Sequence, residues 1–244
     1  MLLGRRRRAS TAPFVIEPRA VNSTTTASDE PRPAAVSERI ERHALADRLF
    51  HWIQAASVLV LLATAFLPIL GVRFPWVAAH WITGVVLIAA IVFHVVRASF
   101  VQSLGSMWIG RDDWRDMLSI AKWSLRLTHA PPRKPGKYSL AQKLIHHVFA
   151  LVLVVASVTG ALMMVRTDTP WWNRNPYWLS DTAWGVVYVL HGLAALLLVT
   201  MVIAHVYFAL RPEKLLFTRA MILGWITRSE YESHHDTKRW QVNE

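Results

Sequence analysis

The chain contains no cysteine. A structural disulfide is therefore excluded, and so are a cysteine-ligated iron-sulfur cluster and a thioether-attached haem within this polypeptide. Any electrons handled here arrive through a partner or a cofactor that needs no cysteine. Acidic residues are scarce, with 16 Asp and Glu against 27 Lys and Arg, for a formal net charge of +11. Charge of either sign is missing altogether from four long stretches: Leu49 to Val72, Phe74 to Val96, Leu144 to Val165 and Thr182 to Leu210. A helix of about 20 apolar residues crosses a bilayer, and each stretch is long enough. With 53% hydrophobic residues and 12 Trp among 244, the composition is that of a membrane protein. The expected fold class is all-α, a membrane-embedded four-helix bundle.

The basic residues set the expected orientation. Nine of them precede the first span, nine lie in the middle loop from Arg97 to Lys143, and six follow the fourth span. The opposite face carries only Arg73, Arg166 and Arg174. By the positive-inside rule both termini and the middle loop are cytoplasmic. The positive charge then reads as topology with attraction to anionic lipid, and no nucleic-acid partner is expected.

Residues 1–37 are rich in Ser, Thr, Ala, Pro and Arg without apolar periodicity, the composition of a disordered cytoplasmic tail. The run Arg5 to Arg8 lacks the apolar segment that a twin-arginine export signal requires before Pro13. Residues 38–244 form the expected four-span domain. In its middle loop, Asp112 and Asp113 precede Trp114, Met117, Leu118, Ala121, Trp123 and Leu125, with Arg115, Lys122 and Arg126 interspersed. An aspartate cap followed by this pattern predicts a helix, lying at the membrane surface or packed on a partner subunit, which Pro131, Pro132, Pro135 and Gly136 terminate.

Histidines stand inside the uncharged stretches at one repeated spacing, His80/His94 and His191/His205, with His51 opening the first. Fourteen residues of helix span roughly 21 Å and return to within about 40° of the starting direction. One helix face thus offers an imidazole near each side of an apolar core about 30 Å thick. Polar groups in lipid are costly and usually functional, and two matched pairs predict ligation of two haems. Alternate spans run in opposite directions, so the outer pair is His80 with His191. At the inner side His205 has two possible partners, His51 and His94, and depth alone does not choose between them. Gly84, Ala55, Ala90 and Ala98 lie about one turn from these histidines, where small residues let a flat macrocycle approach the backbone.

Several motifs recur in an order that resembles one family. They are Asp47-Arg48-Leu49-Phe50-His51-Trp52, His80-Trp81-Ile82-Thr83-Gly84 with Arg97 beyond, Gly136-Lys137-Tyr138-Ser139-Leu140-Ala141-Gln142-Lys143, Val189-Leu190-His191-Gly192, and Ala204-His205-Val206-Tyr207-Phe208-Ala209. Over roughly residues 40 to 240 the chain resembles the gamma (cytochrome b) subunit of membrane-bound formate dehydrogenases, within a di-haem group that includes hydrogenase and thiosulfate-reductase b subunits. The resemblance implies two haem b, with His51 and His205 on the inner iron and His80 and His191 on the outer. It implies a quinone, menaquinone or ubiquinone, near the inner haem, contacted by the stretch that here supplies Ser139, Ala141 and Gln142. Ser139 and Ala141 depart from the family's Asn and Gly, which alters donor reach. His94 has no counterpart in that pattern; a packed residue, a quinone-side proton carrier and an iron ligand are its open readings. His146 and His147 are candidates for relaying protons from the cytoplasm to the quinone.

The implied protein is the electron-transfer subunit of an oxidoreductase complex in the inner (plasma) membrane of a prokaryote. Its implied partners are an iron-sulfur subunit, a Mo/W catalytic subunit, quinone and membrane lipid. Bis-histidine iron leaves no open position for substrate, so no catalytic residue is assigned. The outer-rim aromatics Trp76, Trp171, Trp172, Tyr177, Trp178 and Trp184 suit either partner docking or an aromatic belt. A histidine-lined metal or proton transporter is the reading from another class; it predicts acidic residues within the spans, and the four stretches hold none.

Overall fold

The computed structural model describes residues 38–100 and 104–242; the expected disordered tail, 1–37, lies outside them. Among the described residues four helices are long and apolar enough to cross a membrane: α1 (Leu45–Phe66), α2 (Trp76–Phe100), α4 (Leu140–Met164) and α5 (Asp181–Leu210). The shorter α3 (Arg111–Ser124), α6 (Leu215–Leu223) and α7 (Arg228–His234) and two strands, β1 (Arg39–Glu41) and β2 (Trp225–Thr227), gather at one end of the bundle. We call this the capped end and the other, where 67–75 and 165–180 turn, the hairpin end. The membrane-embedded helical bundle expected from the uncharged stretches is the fold observed.

The helix ends follow from local chemistry. Pro68 and Gly71, the latter at φ 89°, close the turn after α1, since glycine reaches that conformation without a steric penalty. At α4, Ser139 is the N-cap: its Oγ accepts from the Gln142 backbone N–H, and Gln142 Oε1 accepts from the Ser139 N–H at 2.9 Å. Ser180 caps α5 by its hydroxyl alone, which accepts from the Ala183 backbone N–H. The helix α1 packs on α2 and α4 on α5, with α2 meeting α4. Val58, Leu87, Val152, Leu153, Ala194 and Leu198 fill the middle of the bundle. Most other large apolar side chains point outward, as they must where lipid replaces water.

The capped end contains structure that hydropathy did not announce. The strands β1 and β2 pair antiparallel with Ile40 opposite Ile226. Both pack with Ala220, Tyr231, Leu216, Trp240 and Val242 into a second small core. Gly224, at φ 93°, ends α6; a Cβ there would meet the His43 carbonyl oxygen at 3.0 Å. At the centre lies Arg42, buried, donating to His235 Nε2 at 2.7 Å and to the Lys137 carbonyl at 2.9 Å. His235 Nδ1–H in turn donates to the Gly136 carbonyl at 2.7 Å, which leaves Nε2 as the acceptor. Burial pushes the His235 imidazole down to about 4 and the Arg42 guanidinium to about 10.

The middle-loop helix forms, with two corrections: it ends at Ser124, with Arg126 at φ 56° just beyond it, rather than at the prolines. Its N-cap is Gly110, and Asp112 and Asp113 lie in the first turn. The Asp113 carboxylate accepts from the Gly110 N–H at 2.8 Å and pairs with Lys143 at 2.9 Å. These bonds hold its pKa low against the opposing effect of burial, the largest single influence. Asp116 is buried beside Arg239. The carboxylates of Asp113 and Asp116 thus face the protein, while Trp114, Leu118 and Trp123 are exposed, an apolar face that suits either a lipid surface or a partner subunit.

Candidate functional site

Helix geometry sets the two levels of the site. On α2 His80, Leu87 and His94 follow at heptad spacing, and on α5 His191, Leu198 and His205 do the same. Leu87 and Leu198 belong to the buried middle layer, so the histidines stand above and below it. Towards the hairpin end, the rings of His80 and His191 are centred 6.2 Å apart at 73°. Towards the capped end, those of His51 and His205 are centred 6.3 Å apart at 47°. Two imidazoles that share one metal ion, each at about 2 Å from ring nitrogen to metal, have ring centres about 6 Å apart. The donor sets therefore fit a bis-imidazole metal centre at each level.

The hairpin-end pair is held by matched threonines. Thr64 on α1 and Thr159 on α4 are both buried. Each hydroxyl donates to its own helix, Thr64 to the Val60 carbonyl at 2.8 Å and Thr159 to the Val155 carbonyl at 2.6 Å. With the hydroxyl hydrogens so used, each oxygen accepts from a histidine: His80 Nδ1–H at 2.8 Å and His191 Nδ1–H at 2.9 Å. Both rings are thereby fixed in the tautomer that leaves Nε2 free for a metal. Gly160 lies against His191, where a Cβ would come within 3.2 Å of Cε1. At Gly84 and Gly192 a Cβ would meet nothing within 4 Å, so the backbone beside His80 and His191 stays accessible to a flat ligand.

The capped-end pair has no such clamp. His51 Nδ1 is buried without a hydrogen-bond partner, and Phe149 stands edge-on to His205 with ring centres 5.8 Å apart. His94, the other histidine at this depth, lies elsewhere: it stacks on Phe50 at 4.1 Å and faces His146 on α4, ring centres 6.2 Å apart. Nearby, Asp47 and Arg97 form an ion pair at 3.1 Å.

The stretch that the resemblance connects to a quinone opens α4. Ser139 and Gln142 use their side chains on each other's backbone as the helix cap, a role that the S-x-x-Q spacing encodes and that motif matching overlooked. Ala141 is exposed. Tyr138 and Lys137 sit under the guanidinium layer of Arg42. Among the rim aromatics, Trp171, Trp178 and Tyr177 are exposed, whereas Trp184 is 1% exposed and donates to the Pro176 carbonyl at 2.9 Å. Trp184 is therefore a core residue and belongs neither to a belt nor to a docking face.

A family model described as prokaryotic cytochrome b561 matches residues 42–224. The chain is 27% identical over 214 residues to the formate dehydrogenase cytochrome b556(fdo) subunit of Escherichia coli K12, covering 83% of this chain and 92% of that protein. It is 27% identical over 190 residues to the probable Ni/Fe-hydrogenase B-type cytochrome subunit of Bradyrhizobium diazoefficiens, covering 68% and 76%. With the protein of that name from Azotobacter vinelandii the identity is 25% over 202 residues, covering 73% and 84%.

Proposed function

The chain belongs to the prokaryotic cytochrome b561 family, and from that premise we propose that it is the di-haem b subunit of a formate dehydrogenase- or hydrogenase-type complex. In this reading it anchors an iron-sulfur subunit and a metal-containing catalytic subunit, and carries electrons between them and the quinone pool. The observation that carries the proposal is the pair of histidine couples, 6.2 and 6.3 Å between ring centres, at two depths of a four-helix membrane bundle. Haem b, the cofactor of the family, supplies reversible one-electron chemistry. His80 and His191 would hold the iron near the hairpin end, and His51 and His205 the iron near the capped end. Thr64 and Thr159 orient the first couple. Val58, Leu87, Leu153 and Leu198 keep water out of the layer between the levels.

The capped end, with 18 of the 21 Lys and Arg among the described residues on its side of the bundle, faces the cytoplasm by the positive-inside rule. A quinone is read at the start of α4, beside Ala141 and the amide of Gln142, with Ser139 shaping the helix end rather than contacting the quinone through its hydroxyl. His94 is not an iron ligand in this reading.

The test is a haem count on purified protein. The expected wild-type value is two per chain. His80→Ala and His191→Ala each lose one haem, and His51→Ala and His205→Ala each lose the other. His94→Ala retains both. A His51→Ala variant that keeps two haems overturns the assignment.

A further inference from the structure

The hairpin of α1 and α2 and the hairpin of α4 and α5 repeat one another. His51 and Thr64 are thirteen residues apart on α1, as are His146 and Thr159 on α4. His80 and His94 are fourteen apart on α2, as are His191 and His205 on α5. Buried positions follow the same register: Ser57 and Val58 against Val152 and Leu153, and Leu87 against Leu198. The threonines repeat down to their bonds, each to its own helix and to the histidine of the partner helix. Exchanging the two hairpins therefore carries the couple His80–His191 onto itself. It carries His51–His205 onto His146–His94, whose rings are centred 6.2 Å apart, matching the other two couples.

We propose that His94 and His146 form a third imidazole site at the capped end, which exchanges protons with a quinone at the start of α4; this rests on the quinone reading above. The repeat would allow a third haem here, but its two halves differ where a macrocycle needs room. The helices α2 and α4 pack directly, more extensively than the equivalent α1 and α5. Phe50 covers one face of His94 at 4.1 Å and 8°, and the repeat places Ile145 at the position of Phe50.

The surroundings suit proton exchange. The charged groups near His94 are Asp47 of α1 and Arg97 of its own helix, themselves paired at 3.1 Å. On α4, His147 lies 5.6 Å from His146 between ring centres, and its Nδ1–H donates to the Lys143 carbonyl at 2.7 Å, leaving Nε2 unengaged by that bond. His146 is one helical turn beyond Gln142. Reducing one quinone to quinol takes two electrons, supplied by the iron-sulfur partner, and two protons. For each proton an imidazolium N–H bond breaks as a quinone O–H bond forms. The neutral imidazole then regains a proton from water at the capped end, past Asp47.

The purified complex tests this with a short-chain quinone as one acceptor and ferricyanide, which takes an electron and no proton, as the other. In His146→Gln and in His94→Asn, two haems per chain are expected, with ferricyanide reduction retained and quinone reduction slowed about 10²-fold. His146 is exposed on the bundle surface, so its replacement leaves the core intact. Unchanged quinone reduction in both variants overturns the proposal and makes the couple a packing contact. Three haems in the wild type that fall to two in the variants overturn it in favour of a third haem. A wild type that reduces ferricyanide but no quinone refutes the underlying quinone reading, a failure distinct from either.

Discussion

Replacing Thr64 by Val tests whether the hairpin-end couple binds one metal as a unit. Valine keeps the shape of the side chain and removes the oxygen that lies 2.8 Å from His80 Nδ1. The Nδ1–H then loses its hydroxyl partner and keeps only the Leu61 carbonyl, at a cost of about 1 kcal/mol. Removing the outer hydrogen bond of a ligating histidine typically lowers metal affinity about 10–100-fold. The bond also raises the donor strength of the ring and so favours the oxidised metal. Losing about 1 kcal/mol of that preference raises a one-electron potential by about 40 mV, at about 59 mV per tenfold change. Thr159→Val removes the equivalent oxygen, 2.9 Å from His191 Nδ1. If the two histidines share one iron, both variants raise the potential of the same haem and leave the other unmoved, and the double variant raises it further. Potentiometric titration of the haem absorption bands, with low-temperature EPR of the oxidised protein, reads this directly. The reasoning is refuted if the two substitutions shift different haems, if the shift is downward, or if neither potential moves.

Other perturbations have equally definite outcomes. Gly160→Ala places a Cβ 3.2 Å from His191 Cε1; EPR should show an altered ligand geometry at one haem, or loss of that haem, with the other unchanged. Asp113→Asn removes the counter-charge that lies 2.9 Å from the buried Lys143 ammonium, whose bond to the Trp108 carbonyl remains. That costs about 3–5 kcal/mol, and a double variant with Leu at 113 and Met at 143 recovers most of it in a thermal melt in detergent. The cap built on Arg42 and His235 should loosen in acid. His235 sits at about 4 in the folded chain against an ordinary value near 6.5, so between those values the unfolded state binds the extra proton. Stability is therefore complete above about pH 6.5 and falls as pH drops towards 4, by of order 3 kcal/mol. Tryptophan fluorescence reporting on Trp240, which packs on His235, should follow that window, and His235→Gln should flatten it.

The four spans were legible because crossing a membrane is a one-dimensional requirement. Uncharged length decides it, and the helices Trp76–Phe100 and Asp181–Leu210 begin and end within a few residues of the uncharged stretches. The capped end was not legible. Its strands are three residues long, and its core joins Ile40 to Ile226 and Tyr231 across most of the chain. No local period announces such contacts. Trp184 was misplaced for a related reason: its sequence position suits a membrane rim, but Arg166 and Tyr188 cover its ring.

By itself the sequence determined the number of spans, the two depths at which imidazoles stand and the match of His80 with His191, because helical rise and bilayer thickness convert residue number into depth. Depth left His51 and His94 equivalent, and it was the resemblance of the motifs that implied His51. The packing of helices around the bundle axis gives the physical separation, bringing His51 towards His205 and His94 towards His146. Azimuth is set by which helix faces touch, and that is a property of the assembled bundle rather than of any one span.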